Sequence, residues 1–264
     1  MNTSFKARLL ARELLVGTFV KSTDHTVVEV LCHAGLDVLC LDAEHVPFGA
    51  ARLDTSILAA RANHMPAIVR VADDSPHALL AALDMGATAV QVPHVVSAAS
   101  AQRIARACRF GGDGTGRRGY AGSTRAAGYG TRRMSDHLHD SDRDIAVIAQ
   151  IEDAAALAEL PRLVEVEGID ALFIGRVDLA VSLGASRVDD PIVDDAVQMI
   201  CEACRQANKT VGLFCADATD VDTWRNKGAS LFLIGSDHSF MLNGAKHLVS
   251  ALRSPQPLTK SRGS

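Results

Sequence analysis

The residues able to do chemistry in this sequence stand at the carboxyl ends of short apolar segments. Val38–Asp42 runs into Ala43-Glu44-His45, and Ala67–Val71 carries a single charge, Arg70. Ile145–Ile151 carries Gln150 and runs into Glu152, and Ala171–Ile174 runs into Gly175-Arg176-Val177-Asp178. Leu231–Ile234 leads into Gly235-Ser236-Asp237. Side chains alternate faces along a strand, so Gln150 and Glu152 point the same way. Two carboxylates with open positions, Glu152 and Asp178, suit a hard divalent cation that keeps waters and accepts substrate oxygens. A 2-oxo acid can chelate such an ion through its carboxylate and ketone. The ion and the Arg70 guanidinium would then stabilise negative charge at the ketone oxygen. His45, oriented by Asp42, can move a proton, and backbone N–H groups at Gly175–Asp178 can take a carboxylate. This set describes a metal-dependent, enolate-forming lyase.

Each residue taken alone has a plainer explanation. Arg70 can be buried as an ion pair with Asp42 or Glu152. His45 can be a hydrogen-bonded loop histidine. Glu152 and Asp178 precede helical or glycine-containing segments, where acids cap helices. The argument for a site is convergence: two acids, an Arg, a Gln and a His–carboxylate pair fall at the ends of different strands.

The elements that must position them alternate along the whole chain. Eight short segments rich in branched apolar residues read as strands buried on both faces: Leu14–Val20, Val38–Asp42, Ala67–Val71, Ala89–Pro93, Ile145–Ile151, Ala171–Ile174, Val211–Cys215 and Leu231–Ile234. Between them lie amphipathic stretches such as Thr26–Ala34, Ser97–Cys108, Asp189–Ala207 and Ala218–Lys227. Gly35, Gly86, Gly168 and Gly228 each follow a helical stretch and open an apolar strand, the pattern of a left-handed glycine after a helix. Eight such units fit a (β/α)8 barrel, in which active sites lie at the carboxyl ends of the strands. A doubly wound open sheet remains the alternative on periodicity alone.

The 264 residues fit one barrel of about 250 residues. Residues 1–253 read as that domain and 254–264 as a disordered tail. Lys plus Arg total 27 and Asp plus Glu total 31, a net charge of −4, which argues against a general nucleic-acid binder. No apolar stretch is long enough to span a bilayer, and no signal peptide is visible, so a cytoplasmic location is expected. The six cysteines lie scattered through apolar segments, as buried free thiols in a reducing compartment would. One stretch, Arg109–Asp144, lacks apolar periodicity and reads as a long functional connection. It holds Gly114-x-Gly116-x-x-Gly119, which has no strand before it and is a weak dinucleotide signal. Cys201-x-x-Cys204 lies in a helical run and Asp136-His-Leu-His139-Asp140 in a polar stretch; neither is specific for a metal.

From about Gly17 to about Gly235 the chain resembles the HpcH/HpaI aldolases, the metal-dependent pyruvate aldolases. The resemblance is carried jointly by Gly35-Leu-Asp-Val…Leu41-Asp42-Ala-Glu44-His45, Val69-Arg70-Val71, Leu83-Asp84-Met-Gly86-Ala87…Pro93, Arg117-Arg118-Gly119, Gln150-Ile-Glu152 and Ile174-Gly175…Asp178-Leu179. It implies a barrel of the phosphoenolpyruvate/pyruvate type, with Mg2+ or Mn2+ (or Co2+) on Glu152 and Asp178. It further implies reversible cleavage of a 4-hydroxy-2-oxo acid into a 2-oxo acid and an aldehyde. By the same resemblance Asp42–His45 is the acid/base pair and Arg70 the enolate stabiliser. Gln150 supports the substrate or the metal ligands, while Gly175, Arg176, Val177 and Phe19 line the substrate. A homo-oligomer is implied too, a hexamer with exchanged C-terminal helices. Arg176 and Val177 replace the Pro and small residue common in the family, and Phe19 replaces a Trp; these departures bear on which substrate is taken. Alternatives are a citrate-synthase-like or CoA-thioester enzyme on the same scaffold and, less favoured, an anion- or RNA-binding barrel using Arg117-Arg118-Gly119 and Arg132-Arg133.

Overall fold

A computed structural model describes residues 4–111 and 115–253. Eight parallel strands close into a barrel in sequence order: β1 Leu15–Val20, β2 Val38–Asp42, β3 Ala67–Arg70, β4 Ala89–Val92, β5 Ala146–Ile151, β6 Ala171–Ile174, β7 Thr210–Cys215 and β8 Leu231–Ser236. Closure is direct, with Leu15 of β1 paired to Leu231 of β8. The open sheet is therefore excluded and the (β/α)8 expectation holds. The connecting helices are α1 Phe5–Leu10, α2 His25–Cys32, α3 Ala50–Ala62, α4 Pro76–Asp84, α5 Ala98–Cys108, α6 Met134–Asp144, α7 Ala154–Leu163, α8 Arg176–Ser182, α9 Pro191–Gln206, α10 Val221–Asn226 and α11 Asp237–Arg253. Gly35, Gly86, Gly168 and Gly228 have φ of +76° to +102°, the left-handed turn their spacing predicted.

Two apolar cores follow from strand alternation. In β2, Val38 and Cys40 face the lumen, while Leu39 and Leu41 face the helices. The lumen is filled by Leu15, Phe19, Val38, Cys40, Ile68, Ala89, Ala146, Ile148, Ala171, Phe173, Leu231 and Leu233. Phe5 and Leu9 of α1 close it at the amino end of the strands. Each fully buried Leu, Ile or Phe here contributes about 1.5–3 kcal/mol. Continuing the lumen parity upward leads from Cys40 to Asp42, from Ile68 to Arg70, from Ala89 to Gln91, from Ile148 to Gln150 and Glu152, and from Phe173 to Gly175. The barrel interior is thus apolar below and polar at its carboxyl end. The register sets Asp42 opposite Arg70 and Arg70 opposite Gln91.

One expectation is corrected. Arg109–Asp144 is not a single connection, because its last eleven residues form α6. The buried positions of α6 are His137 and Ser141, four apart, so the inward stripe of this helix is polar and leaves no apolar period. His137 packs edge-on to Phe110, with ring centroids 5.5 Å apart. Asp136 pairs with Arg133 and Asp140 with Arg143, so this stretch is a salt-bridged helix rather than a metal loop. Arg118 is buried, paired with Asp84 at 2.9 Å and stacked over Phe110, while Arg132 pairs with Asp140 at the surface. Gly114 and the tail 254–264 lie outside the described residues. Cys201 and Cys204 are buried on the inner face of α9, and all six cysteines are free. No helix among the described residues is long and apolar enough to cross a membrane.

Candidate active site

The polar rows at the carboxyl end of the lumen meet in a cavity of about 250 Å³ lined by Phe19, Lys21, His45, Arg70, Gln150, Phe173, Gly175, Arg176, Val177, Asp178, Phe214, Gly235 and Ser236. A wider depression of about 820 Å³ lies outside the barrel, between α5 and α7, away from these groups.

Asp42 and Arg70 form the rigid floor. Arg70 Nε donates to Asp42 Oδ1 at 3.0 Å, and Nη2 lies 2.8 Å from Oδ2. The third nitrogen, Nη1, lies 3.2 Å from Glu44 Oε2. The guanidinium rests 4.5 Å over the Phe19 ring, a cation–π contact that fixes its plane. Burial raises the Asp42 carboxyl, but the Arg70 guanidinium outweighs it and holds the group below the usual carboxylate range. Breaking so buried a pair costs about 3–5 kcal/mol, because it strands a charge. The ion pair with Asp42 is therefore real, and Arg70 lines the cavity as well.

Gln91, Gln150 and Glu152 form a relay along the adjoining strands β4 and β5. Gln91 Nε2 donates to Gln150 Oε1, and Gln150 Nε2 donates to Glu152 Oε2 at 2.5 Å. The other oxygen, Glu152 Oε1, accepts the His94 backbone N–H at 2.9 Å. A Cβ at Gly175 would lie 2.5 Å from Glu152 Oε2, so only glycine leaves room for that carboxylate beside the start of α8. Glycine at 175 thereby admits Glu152 to the end of the barrel where Asp178 occupies the first turn of α8. Gln91 Oε1 is buried without a hydrogen-bond partner, and so is Glu44 Oε2 apart from its ion pair.

The remaining expected residues fall into place with differences. Asp42 reaches His45 through the backbone, accepting its N–H at 3.2 Å; the His45 ring is half exposed, with Nε2 3.7 Å from Glu44 Oε2. The Gly175 N–H is spent on Ile151 O at 3.0 Å, which leaves the first-turn N–H groups of α8 for an anion. Arg176 borders the cavity, but its guanidinium is committed elsewhere. It pairs with Asp220 at 3.0 Å and Asp194 at 3.8 Å and lies 5.0 Å over the Trp224 ring. Asp237 is structural: its carboxylate accepts the N–H groups of Lys21 and Ser22 at 2.8 and 2.9 Å and pins the loop after β1.

Sequence reading missed His94. It follows β4 with φ +53°, and its ring lies 3.5 Å from Glu152, 3.1 Å from Asp153 and 3.7 Å from Glu44. Burial lowers its basicity, but the three carboxylates outweigh that and raise it. Glu44, His94 and Glu152 together offer ligand atoms within 4.8 Å of one another. The available signal was position: His94 follows a strand at the same end as the other rim residues.

Comparison with known proteins places this geometry in context. The family model for HpcH/HpaI aldolase/citrate lyase matches residues 15–244. The chain is 33% identical to a hydroxypyruvate/pyruvate aldolase of Paraburkholderia phytofirmans, over 94% of this chain and 97% of that protein. It is 30% identical to a 4-hydroxy-2-oxo-heptane-1,7-dioate aldolase of Klebsiella pneumoniae subsp. pneumoniae, over 95% of this chain and 94% of the relative. A solved HpcH/HpaI aldolase/citrate lyase family protein from Burkholderia cenocepacia superposes with a TM-score of 0.90 at 34% identity, covering 94% of this chain and 98% of the other.

Proposed function

This chain belongs to the HpcH/HpaI aldolase/citrate lyase family and is a carbon–carbon lyase of the aldolase type, and from that premise we propose that it cleaves, reversibly, a 4-hydroxy-2-oxo acid into pyruvate or a related 2-oxo acid and an aldehyde. The observation that carries the reading is the cavity at the carboxyl end of the barrel, where Arg70, His45, Gln150 and Asp178 converge beside Glu152.

Glu152 and Asp178 are the residues assigned to a divalent cation, Mg2+ or Mn2+, with Co2+ as a substitute. The cradle that Gly175 leaves for Glu152 fits such a group. When bound, the cation supplies Lewis-acid polarisation of the 2-oxo acid. Gln150 holds Glu152 in place through its amide N–H. Arg70, its plane fixed by Asp42 and Phe19, faces the charge that develops on the ketone oxygen as the C3–C4 bond breaks. His45 takes the proton of the C4 hydroxyl, and in the reverse direction returns it to the aldehyde oxygen. The first-turn N–H groups of α8, those of Arg176, Val177 and Asp178, orient the substrate carboxylate. Arg176 acts here through its backbone, its side chain being held by Asp220.

The partner assignment is a second copy of the chain. Phe240, Met241, Leu242, Leu248, Val249 and Leu252 of α11 are exposed, more apolar surface than one helix of a monomer usually leaves to water. Exchange of this helix in a hexamer would cover it. A cytoplasmic location completes the reading and agrees with six free thiols.

The test is deuterium incorporation into the pyruvate methyl group, with the protein before chelation, after chelation and after metal is returned. Exchange that follows the metal supports the reading. Absence of exchange with every metal tried removes pyruvate as the nucleophile.

A further inference from the structure

The two oxygens of Glu152 look in different directions. Oε2 lies toward Gln150 and Gly175. Oε1 lies toward His94, whose ring nitrogen Nδ1 is 3.5 Å away. Glu44 is divided in the same manner: Oε2 faces Arg70 Nη1 at 3.2 Å, while Oε1 faces His94 Nε2 at 3.7 Å. The oxygen of Glu44 that Arg70 leaves over therefore meets the imidazole, as does the oxygen of Glu152 that Gln150 leaves over.

The imidazole is oriented for this. Nδ1 lies 3.1 Å from Asp153 Oδ2. With its proton on Nδ1 and donated to Asp153, the lone pair of Nε2 points toward Glu44. A histidine that ligates a metal through one nitrogen usually gives the other N–H to a carboxylate, which fixes the tautomer and raises its basicity as a ligand. Glu44 and Glu152 are both at least nine-tenths buried, so their carboxylates are held rather than swinging in solvent. His94 is more than half exposed and leaves the site open to entry from solvent.

We propose that Glu44, the His94 imidazole and Glu152, whose ligand atoms lie within 4.8 Å of one another, form a second cation site, beside the Glu152–Asp178 pair and sharing Glu152 with it, that takes a divalent transition metal. One imidazole and two carboxylates favour Zn2+, Co2+ or Mn2+ over Mg2+, because imidazole suits the softer ions and Mg2+ prefers oxygen. Three ligands leave positions open for water or an oxygen of the substrate. The ion would also offset the negative charge that Glu44, Glu152 and Asp153 gather around one imidazole.

The experiment is equilibrium dialysis of the full chain against Co2+, with metal analysis and the visible absorption of the bound ion. His94→Asn removes the imidazole while keeping a residue that accepts left-handed backbone, and Glu44→Gln removes one carboxylate. Wild-type protein is expected to bind one more Co2+ per chain than either variant and to lose the absorption of a nitrogen-ligated ion in His94→Asn. Excess Mg2+ is expected to leave that His94-dependent equivalent in place. Asp178→Ala is expected to retain it, so failure of the Glu152–Asp178 assignment, in which Asp178→Ala binds the full wild-type count, is read separately. Equal Co2+ counts and equal spectra for wild type and His94→Asn overturn the proposal.

Discussion

At the amino end of the strands, Asp170 is a buried carboxylate with every oxygen answered by the chain itself. Its Oδ2 accepts the Val147 N–H at 2.8 Å and Arg109 Nη2 at 3.2 Å, and its Oδ1 meets Lys6 Nζ at 3.1 Å. Lys6 also donates to the carbonyls of Asp142 and Ile145. Nearby, Lys209 Nζ donates to the carbonyls of Val166 and Ile169 at 2.9 and 2.8 Å. Burial pulls both lysines below their ordinary range, with Asp170 opposing it. At the carboxyl end, Asp42, Glu44 and Glu152 are as deeply set, yet neither Gln91 Oε1 nor Glu44 Oε2 has a hydrogen-bond partner. The same residue types do different jobs because of who answers them. A carboxylate answered on both oxygens by the chain holds the barrel shut; a polar group left partly unmatched is available to a ligand.

This contrast can be broken most sharply by exchanging the expected phenotypes. Asp178→Ala or Glu152→Ala is expected to cut metal-dependent turnover by about 10³-fold or more, the scale of several kcal/mol of Lewis-acid stabilisation, with the unfolding midpoint little changed for Asp178→Ala. Full turnover in either variant removes that residue from the site. At the other end, Asp170→Ala strands Lys6 and Arg109 and is expected to cost about 3–5 kcal/mol in urea unfolding, while the folded fraction keeps its turnover. A stable Asp170→Ala would show that the amino-end network is not structural.

A smaller effect sharpens the roles at the rim. His45→Ala should slow pyruvate C3 proton exchange by roughly 10²-fold, the usual scale of a lost acid–base group, without changing stability. Wild-type exchange in this variant takes His45 out of the proton path. A pH-dependent effect falls on stability. The Asp42 carboxyl is held low in the folded state by Arg70, so its contribution is present above the ordinary carboxylate range and is lost as pH falls through the depressed value. The stability gap between wild type and Asp42→Asn is expected to be full near neutral pH and to close in acid. A gap constant with pH would mean that the Asp42 charge contributes nothing to folding.

Much of the rim was legible because a barrel obeys two simple rules. Alternation by two carries the lumen face of each strand upward, and parallel closure brings all eight carboxyl ends together. Asp42, Arg70, Gln150, Glu152, Gly175 and Asp178 could therefore be placed at one end from strand assignments alone. The ion pair of Arg70 with Asp42 was also among the readings the residues allowed. α6 was not legible, because periodicity is recognised by apolar residues and its buried positions are His137 and Ser141. Arg176 shows the reverse limit: its place beside the site was readable, but the turn of its guanidinium toward Asp220 and Trp224 was not.

Local periodicity and backbone freedom were enough to specify the eight strands, the glycine turns between helix and strand, and the end of the barrel at which the polar residues gather. Which oxygen faces which partner emerged with the folded barrel alone. His94 meets Glu44 and Glu152, Asp42 holds the backbone rather than the ring of His45, and Glu152 spends one oxygen on Gln150 and turns the other toward His94. Those contacts join residues from different strands and loops, at distances set by barrel closure and side-chain packing, which no spacing along one chain encodes.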